Sequence, residues 1–98
     1  MTEETMYGWS NYETWKLYAD VLQNVTLRDL GYREGDRFTS TQIELLTSTL
    51  ELYSHDLLET DVEWGSFAMT VLHSFLARVN YEEIVMDKVR THTPEDLT

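Results

Sequence analysis

The chain has 98 residues, of which 42% are hydrophobic, and it carries 18 acidic but only seven basic side chains. A formal net charge of −11 argues against direct binding to nucleic acid or to an anionic membrane surface, and favours a partner with a basic surface. The absence of cysteine excludes disulfides and thiolate metal sites. The length predicts a single domain over 1–98, with mobile ends at about 1–6 and 93–98. No secretory signal or membrane-spanning run is present, so we expect a cytoplasmic protein in a host cell.

The stretch Gly8-Trp9-Ser10-Asn11-Tyr12-Glu13-Thr14-Trp15 predicts the start of a helix over about 11–24. Ser10 is expected to cap this helix, because Glu13 follows at the capping-box spacing and apolar residues then recur at helical intervals. Large aromatic side chains at such spacing are usually buried, and this favours core packing over a platform for stacking a ligand. The predicted structural anchors are Trp9, Tyr12, Trp15 and Trp64.

The same eight residues resemble a signature near the N-terminus of small proteins encoded by viruses and plasmids of bacteria and archaea. The segment Val79-Asn80-Tyr81-Glu82-Glu83-Ile84 resembles the second landmark of that family, although tryptophan is more usual at the place of Tyr81. The resemblance spans about 7–90, and the stretch 26–58 matches no known pattern. The family has no established reaction, so the resemblance implies a mobile-element context and no catalytic residues.

A short helical turn is predicted near 27–31, because Thr26 and Asp29 have the spacing of a capping box and Gly31 can end the turn. Two glycines and a high density of charge then indicate a surface loop over 31–38. Surface loops vary and make contacts more readily than core elements, but the sequence assigns this loop no role.

A second helix is predicted over 40–57, with Thr39 as its cap and Gln42 at the capping-box position. Its apolar residues define a stripe that we expect to face the core. This stripe comprises Ile43, Leu46, Leu50, Tyr53 and Leu57, and is widened by Leu45 and Leu52.

A third helix is predicted over 61–79, capped by Thr60 with Glu63 three residues later. Its apolar face is the widest in the chain, so we expect this helix to be central. Gly65 would lie in its first turn, where a close approach by another group would explain a residue that costs about 1 kcal/mol relative to alanine. The face comprises Trp64, Phe67, Ala68, Val71, Leu72, Phe75, Leu76 and Val79.

A fourth helix is predicted over 81–92, with Asn80 as its cap and Glu83 at the capping-box position, and Pro94 follows its end. No strand-like alternation or hairpin signal occurs in the chain. The sequence therefore predicts an all-α, compact bundle of four main helices with a short extra turn.

Candidate chemical sites are few. His55, Asp56 and Glu59 lie at positions i, i+1 and i+4 near the end of the second helix, so His55 and Glu59 could share a helical face. Two ligands specify a metal weakly, however, and the positions of His73 and His92 do not assign either of them to a site. We therefore expect a solvated helix end, no metal and no cofactor. Acidic pairs at the predicted helix starts are explained by capping, and no motif for a nucleophile or a phosphate is present, so we expect no enzyme activity.

The acidity leaves two functional hypotheses. One is an inhibitor of a host defence system, such as restriction or CRISPR, that mimics DNA with an acidic stripe and binds a basic nuclease or defence complex. The other is a small adaptor that binds through an apolar patch, with acidity that serves solubility or salt adaptation. Aromatic stripes would also allow two copies to pair, although nothing in the sequence requires a homodimer. The predicted protein-binding stripe is Glu44, Glu51, Asp56, Glu59, Asp61 and Glu63.

Overall fold

The computed structural model describes residues 8–91, which form four main helices and one 3₁₀ turn and contain no β-strand. This confirms the all-α prediction. The predicted mobile ends at 1–6 and 93–98, together with His92, lie outside the described residues. Helix α1 spans Tyr12–Leu17 and continues into a π-helical turn over Tyr18–Leu22; the 3₁₀ turn spans Arg28–Leu30, α2 spans Ser40–Glu59, α3 spans Phe67–Leu76 and α4 spans Tyr81–Thr91.

Three predicted caps are confirmed. The Thr39 hydroxyl accepts from the Gln42 backbone N–H at 3.1 Å, and the Asn80 side chain accepts from the backbone N–H of Glu83 at 3.1 Å. Thr26 and Asp29 exchange two hydrogen bonds at the start of the 3₁₀ turn, as a capping box requires. These caps were predictable because each depends on residues only three positions apart.

Two predicted caps are wrong. The cap of α1 is Asn11 and not Ser10, since the Asn11 side-chain oxygen accepts from the Thr14 N–H at 2.8 Å. The cap of α3 is Ser66, so this helix begins at 67 and not at 61. Thr60 has right-handed helical dihedral angles and ends α2, whereas an N-cap needs extended backbone.

Gly65 lies in the turn between α2 and α3, and not in the first turn of a helix. Its φ of +82° is in the left-handed region, and a Cβ built at this position would meet no atom within 4 Å. The predicted close approach by another group is therefore wrong. The backbone conformation of the turn explains the glycine, because residues with a Cβ rarely adopt it.

The core lies between α2, α4 and the first helical segment, with α2 and α4 forming the most extensive helix pair in residues 8–91. The prediction that the third helix is central is wrong, since Phe67 is 82% and Val71 50% exposed. Helix α3 instead contributes the buried side chains of Met69 and Leu76. The fully buried aliphatic side chains are Leu22, Leu46, Leu50, Leu76, Ile84 and Val85.

Lys88 is a buried cation on the inner side of α4. Its ammonium group donates to the carbonyl of Leu22 at 2.8 Å and lies 5.4 Å from the centre of the Tyr18 ring. Burial lowers the pKa of Lys88, and the nearby Asp87 and Asp29 only partly oppose this shift. The contact joins α4 to the end of the π-helical turn, where the Leu22 carbonyl also accepts from the backbone N–H of Val25 at 3.1 Å.

The stretches 8–15 and 79–84, at opposite ends of the described chain, meet in the structure. The Ser10 hydroxyl donates to the Glu83 carboxylate at 2.7 Å, and the Asn11 amide donates to the Arg78 carbonyl at 2.8 Å. The backbone N–H of Asn80 donates to the hydroxyl of Thr14 at 2.8 Å. We call this set of hydrogen bonds the clasp. It fixes the start of α1 against the start of α4, so these polar residues have a structural role.

The four predicted aromatic anchors differ in burial. Trp9 is half-buried, packs against the core and lies 4.8 Å from the Tyr18 ring, and Trp15 is also half-buried. Tyr12 is 46% exposed, although its ring is 5.7 Å from that of Trp15. Trp64 is 72% exposed and does not anchor the core, because the helix it was predicted to enter begins three residues later.

Candidate functional site

The solvent side of α2 exposes both acidic and large apolar side chains. Leu45 is 60% and Leu52 69% exposed, so the prediction that they widen the buried stripe is wrong. The core side of α2 is already occupied by Leu46, Leu50 and Ser54, which lie on the opposite side of the helix. Tyr53 and Leu57, predicted for the same stripe, are 38% and 46% exposed.

We call this solvent side the outer face of α2 and define it by Glu44, Leu45, Glu51, Leu52 and Asp56, all of which are exposed. Seven positions separate the two glutamates and also the two leucines, so each pair is aligned along the helix axis. The 20-residue helix is about 30 Å long, and presents this pattern over most of that length.

The exposed leucines belong to a seam with coiled-coil spacing. Leu45, Ser48, Leu52 and His55 follow one another at intervals of three and four residues, as in the a and d positions of a heptad repeat. Glu44 and Glu51 then lie along one side of the seam, and Asp56 lies along the other. The outer face therefore has a partly apolar centre with carboxylates on both sides.

At its C-terminal end the outer face meets a cluster of two histidines and one carboxylate. The Glu59 Oε2 atom lies 3.0 Å from His55 Nδ1 and 2.6 Å from His73 Nε2. His55 and Glu59 are four residues apart on α2, whereas His73 comes from α3. A carboxylate can only accept, so both ring nitrogens donate to the same oxygen. We call these three residues the histidine–glutamate cluster.

Hydrogen bonds from His55 and His73 lower the pKa of Glu59 below its ordinary value of 4.5, and desolvation opposes this shift without cancelling it. Glu59 is therefore an anion at neutral pH. The Trp64 and His73 rings meet at a steep angle of 65°, with the ring centres 6.1 Å apart. The arrangement places two imidazole nitrogens and a negative oxygen within reach of a common ligand, on the partly exposed junction of α2 and α3.

The structure divides the predicted acidic stripe. Glu44, Glu51 and Asp56 are exposed on the outer face, and Glu44 and Glu51 share a side of the helix as predicted. Glu59 is instead held by the two histidines. The remaining two acids of the stripe, Asp61 and Glu63, are exposed in the turn that follows α2.

Sequence reasoning did not assign His73 to any site. It is 14 positions from Glu59, so only the packing of α3 against α2 brings the two side chains together. The exposure of the leucines could have been predicted from the sequence. The intervals from Leu45 to His55 fit a seam that is separate from the one containing Leu46 and Leu50.

Comparisons with protein-family models, with curated proteins and with solved structures find no significant match to this chain. The resemblance to proteins of viruses and plasmids therefore stays a prediction. Within residues 8–91, every helix is too short or too polar to cross a membrane.

Proposed function

We propose that this protein is a non-enzymatic binding domain that uses the outer face of α2 to hold a partner protein. The observation that carries the proposal is the pair of exposed leucines, Leu45 and Leu52, aligned between carboxylates on a long helix. Exposed apolar side chains in such a repeat are typical of contact surfaces, because their removal from water contributes roughly 25 cal/mol per Å².

The partner that fits this face is an amphipathic helix with apolar residues in its seam and lysine or arginine at its flanks. Such a helix would cover Leu45 and Leu52 and place its cations beside Glu44, Glu51 and Asp56. A second copy of this chain fits less well, since it would bring carboxylates together and each copy has a formal charge of −11.

The second candidate function is the acidic DNA mimic that inhibits a host defence system in the cytoplasm. It is favoured by the exposed acids Glu44, Glu51 and Asp56 and by the predicted viral or plasmid context. The exposed leucines argue against pure mimicry, because a channel that binds the phosphate backbone offers mainly cations and polar groups. The two functions therefore differ in whether the leucines contribute to binding.

The test is affinity capture from a lysate of the source cell, comparing the wild type with Leu45→Ser/Leu52→Ser. The matched control is Phe67→Ser/Val71→Ser, which also removes two exposed apolar side chains but on α3. We expect a basic protein that binds the wild type and the control, and that is lost from the leucine variant.

Three outcomes would contradict this proposal. Equal capture by the leucine variant, combined with release by added duplex DNA, would favour mimicry. Loss of capture only in the α3 control would place the interface on α3. If neither the wild type nor either variant captures a partner, the support for a binding function is removed.

A further inference from the structure

We propose that His55, Glu59 and His73 form a binding site for a divalent transition metal ion, with Zn²⁺ as the best-fitting ion. The side chains offer two imidazole nitrogens and one carboxylate oxygen, which is a ligand set that Zn²⁺ accepts. This inference does not depend on the proposed partner, because all three ligands belong to one chain.

The ligand atoms already converge. All three lie within 4.8 Å of one another, and Glu59 Oε2 is 3.0 Å and 2.6 Å from the two nitrogens. Bonds of about 2.0–2.1 Å in tetrahedral geometry place neighbouring ligand atoms about 3.4 Å apart. Small rotations of the side chains therefore suffice to admit an ion, and no backbone element has to move.

Metal binding would replace the two hydrogen bonds within the cluster. The ion would take the place of the two protons that now join His55 and His73 to Glu59, since a neutral imidazole can carry its proton on its other nitrogen. The ligating form requires an ionised carboxylate, and the donated hydrogen bonds already favour that form of Glu59.

The surroundings also suit a cation. Glu59 is the last residue of α2, and the C-terminal end of a helix has a partial negative charge. The overall charge of −11 adds to the negative potential. The ligand side chains are 33%, 17% and 40% exposed for His55, Glu59 and His73, so an ion can enter and water can complete its coordination.

The site would join two helices, and this gives it a measurable effect on folding. His55 and Glu59 are on α2 and His73 is on α3, so an ion held by all three binds the folded chain better than the unfolded chain. Saturating Zn²⁺ should therefore raise the melting temperature. Trp64 beside His73 provides a second signal, because a bound paramagnetic ion such as Co²⁺ quenches a nearby indole.

The experiment is calorimetric titration of the metal-free protein with ZnCl₂ at neutral pH, with melting temperatures recorded with and without Zn²⁺. The variants are His55→Gln and His73→Gln, and the control is Asp56→Asn, which removes a neighbouring carboxylate outside the cluster. Circular dichroism establishes that each variant is folded. Trp64→Phe identifies the indole that Co²⁺ quenches.

We expect one Zn²⁺ per chain and a higher melting temperature with Zn²⁺. The affinity for Zn²⁺ should fall by at least about tenfold in each histidine variant, but by less than about threefold in the control. Co²⁺ should quench the wild type more than Trp64→Phe. The proposal is overturned if Zn²⁺ does not bind saturably, or if both histidine variants bind it as the wild type does. Neither result would bear on partner binding by the leucines.

Discussion

Thr14 shows how a single side chain joins distant parts of this chain. It is fully buried, and its hydroxyl accepts from the backbone N–H of Asn80, 66 positions away. Asn80 also caps α4, so the hydroxyl satisfies a donor at the start of that helix. The stretch 8–15 therefore stabilises the contact between α1 and α4.

Replacing Thr14 with valine should lower the free energy of unfolding by about 1–3 kcal/mol, because the shape is retained but the Asn80 N–H loses its buried partner. Thr14→Ser keeps the hydroxyl and should cost less. Urea unfolding followed by tryptophan fluorescence measures both variants. If Thr14→Val has the same free energy of unfolding as the wild type, the hydrogen bond from Asn80 to Thr14 does not stabilise the fold.

At the scale of the elements, local capping signals were sufficient to predict where α2 and α4 begin, but they gave the wrong start for α3. The Thr39 and Asn80 caps follow from residues three positions apart. Thr60 and Glu63 show the same spacing, but the chain continues α2 through Glu59 and then turns, and Ser66 caps the next helix. The spacing alone does not decide which of two capping residues starts a helix.

The turn before α3 provides a test at this scale. Gly65→Ala should destabilise the protein by about 1–2 kcal/mol, since a Cβ is strained at φ of +82°. Gly65→Asn should cost less, because asparagine tolerates left-handed backbone better. Thermal unfolding of the two variants distinguishes the causes. A larger cost for asparagine than for alanine would mean that space, and not backbone conformation, requires the glycine.

At the scale of the whole molecule, the sequence predicted the class of fold and the acidic side of α2 but not the contacts between elements. His73 reaches Glu59 across 14 positions, and Lys88 reaches the Leu22 carbonyl across 66. Both contacts depend on how helices pack, which helical periodicity does not specify. The same limit explains why the burial of Leu45 and Leu52 was predicted wrongly, since their exposure depends on which side of α2 packs against α4.

In the proposed function, acids and leucines on the outer face of α2 bind one partner together. The most direct test measures the affinity of the captured partner at low and high salt for the wild type and Glu44→Lys/Glu51→Lys. The matched control is Asp20→Lys/Glu34→Lys, which makes the same change in net charge at exposed acids outside α2.

We expect the affinity of the wild type to fall as salt rises, because salt screens exposed charges over about 10 Å at 0.1 M. The Glu44→Lys/Glu51→Lys variant should bind at least about tenfold more weakly at low salt and lose most of this salt dependence, while the control stays within about threefold of the wild type. Equal weakening by the two variants would show that net charge alone governs binding. Wild-type affinity in Glu44→Lys/Glu51→Lys would show that the outer face of α2 is not the interface.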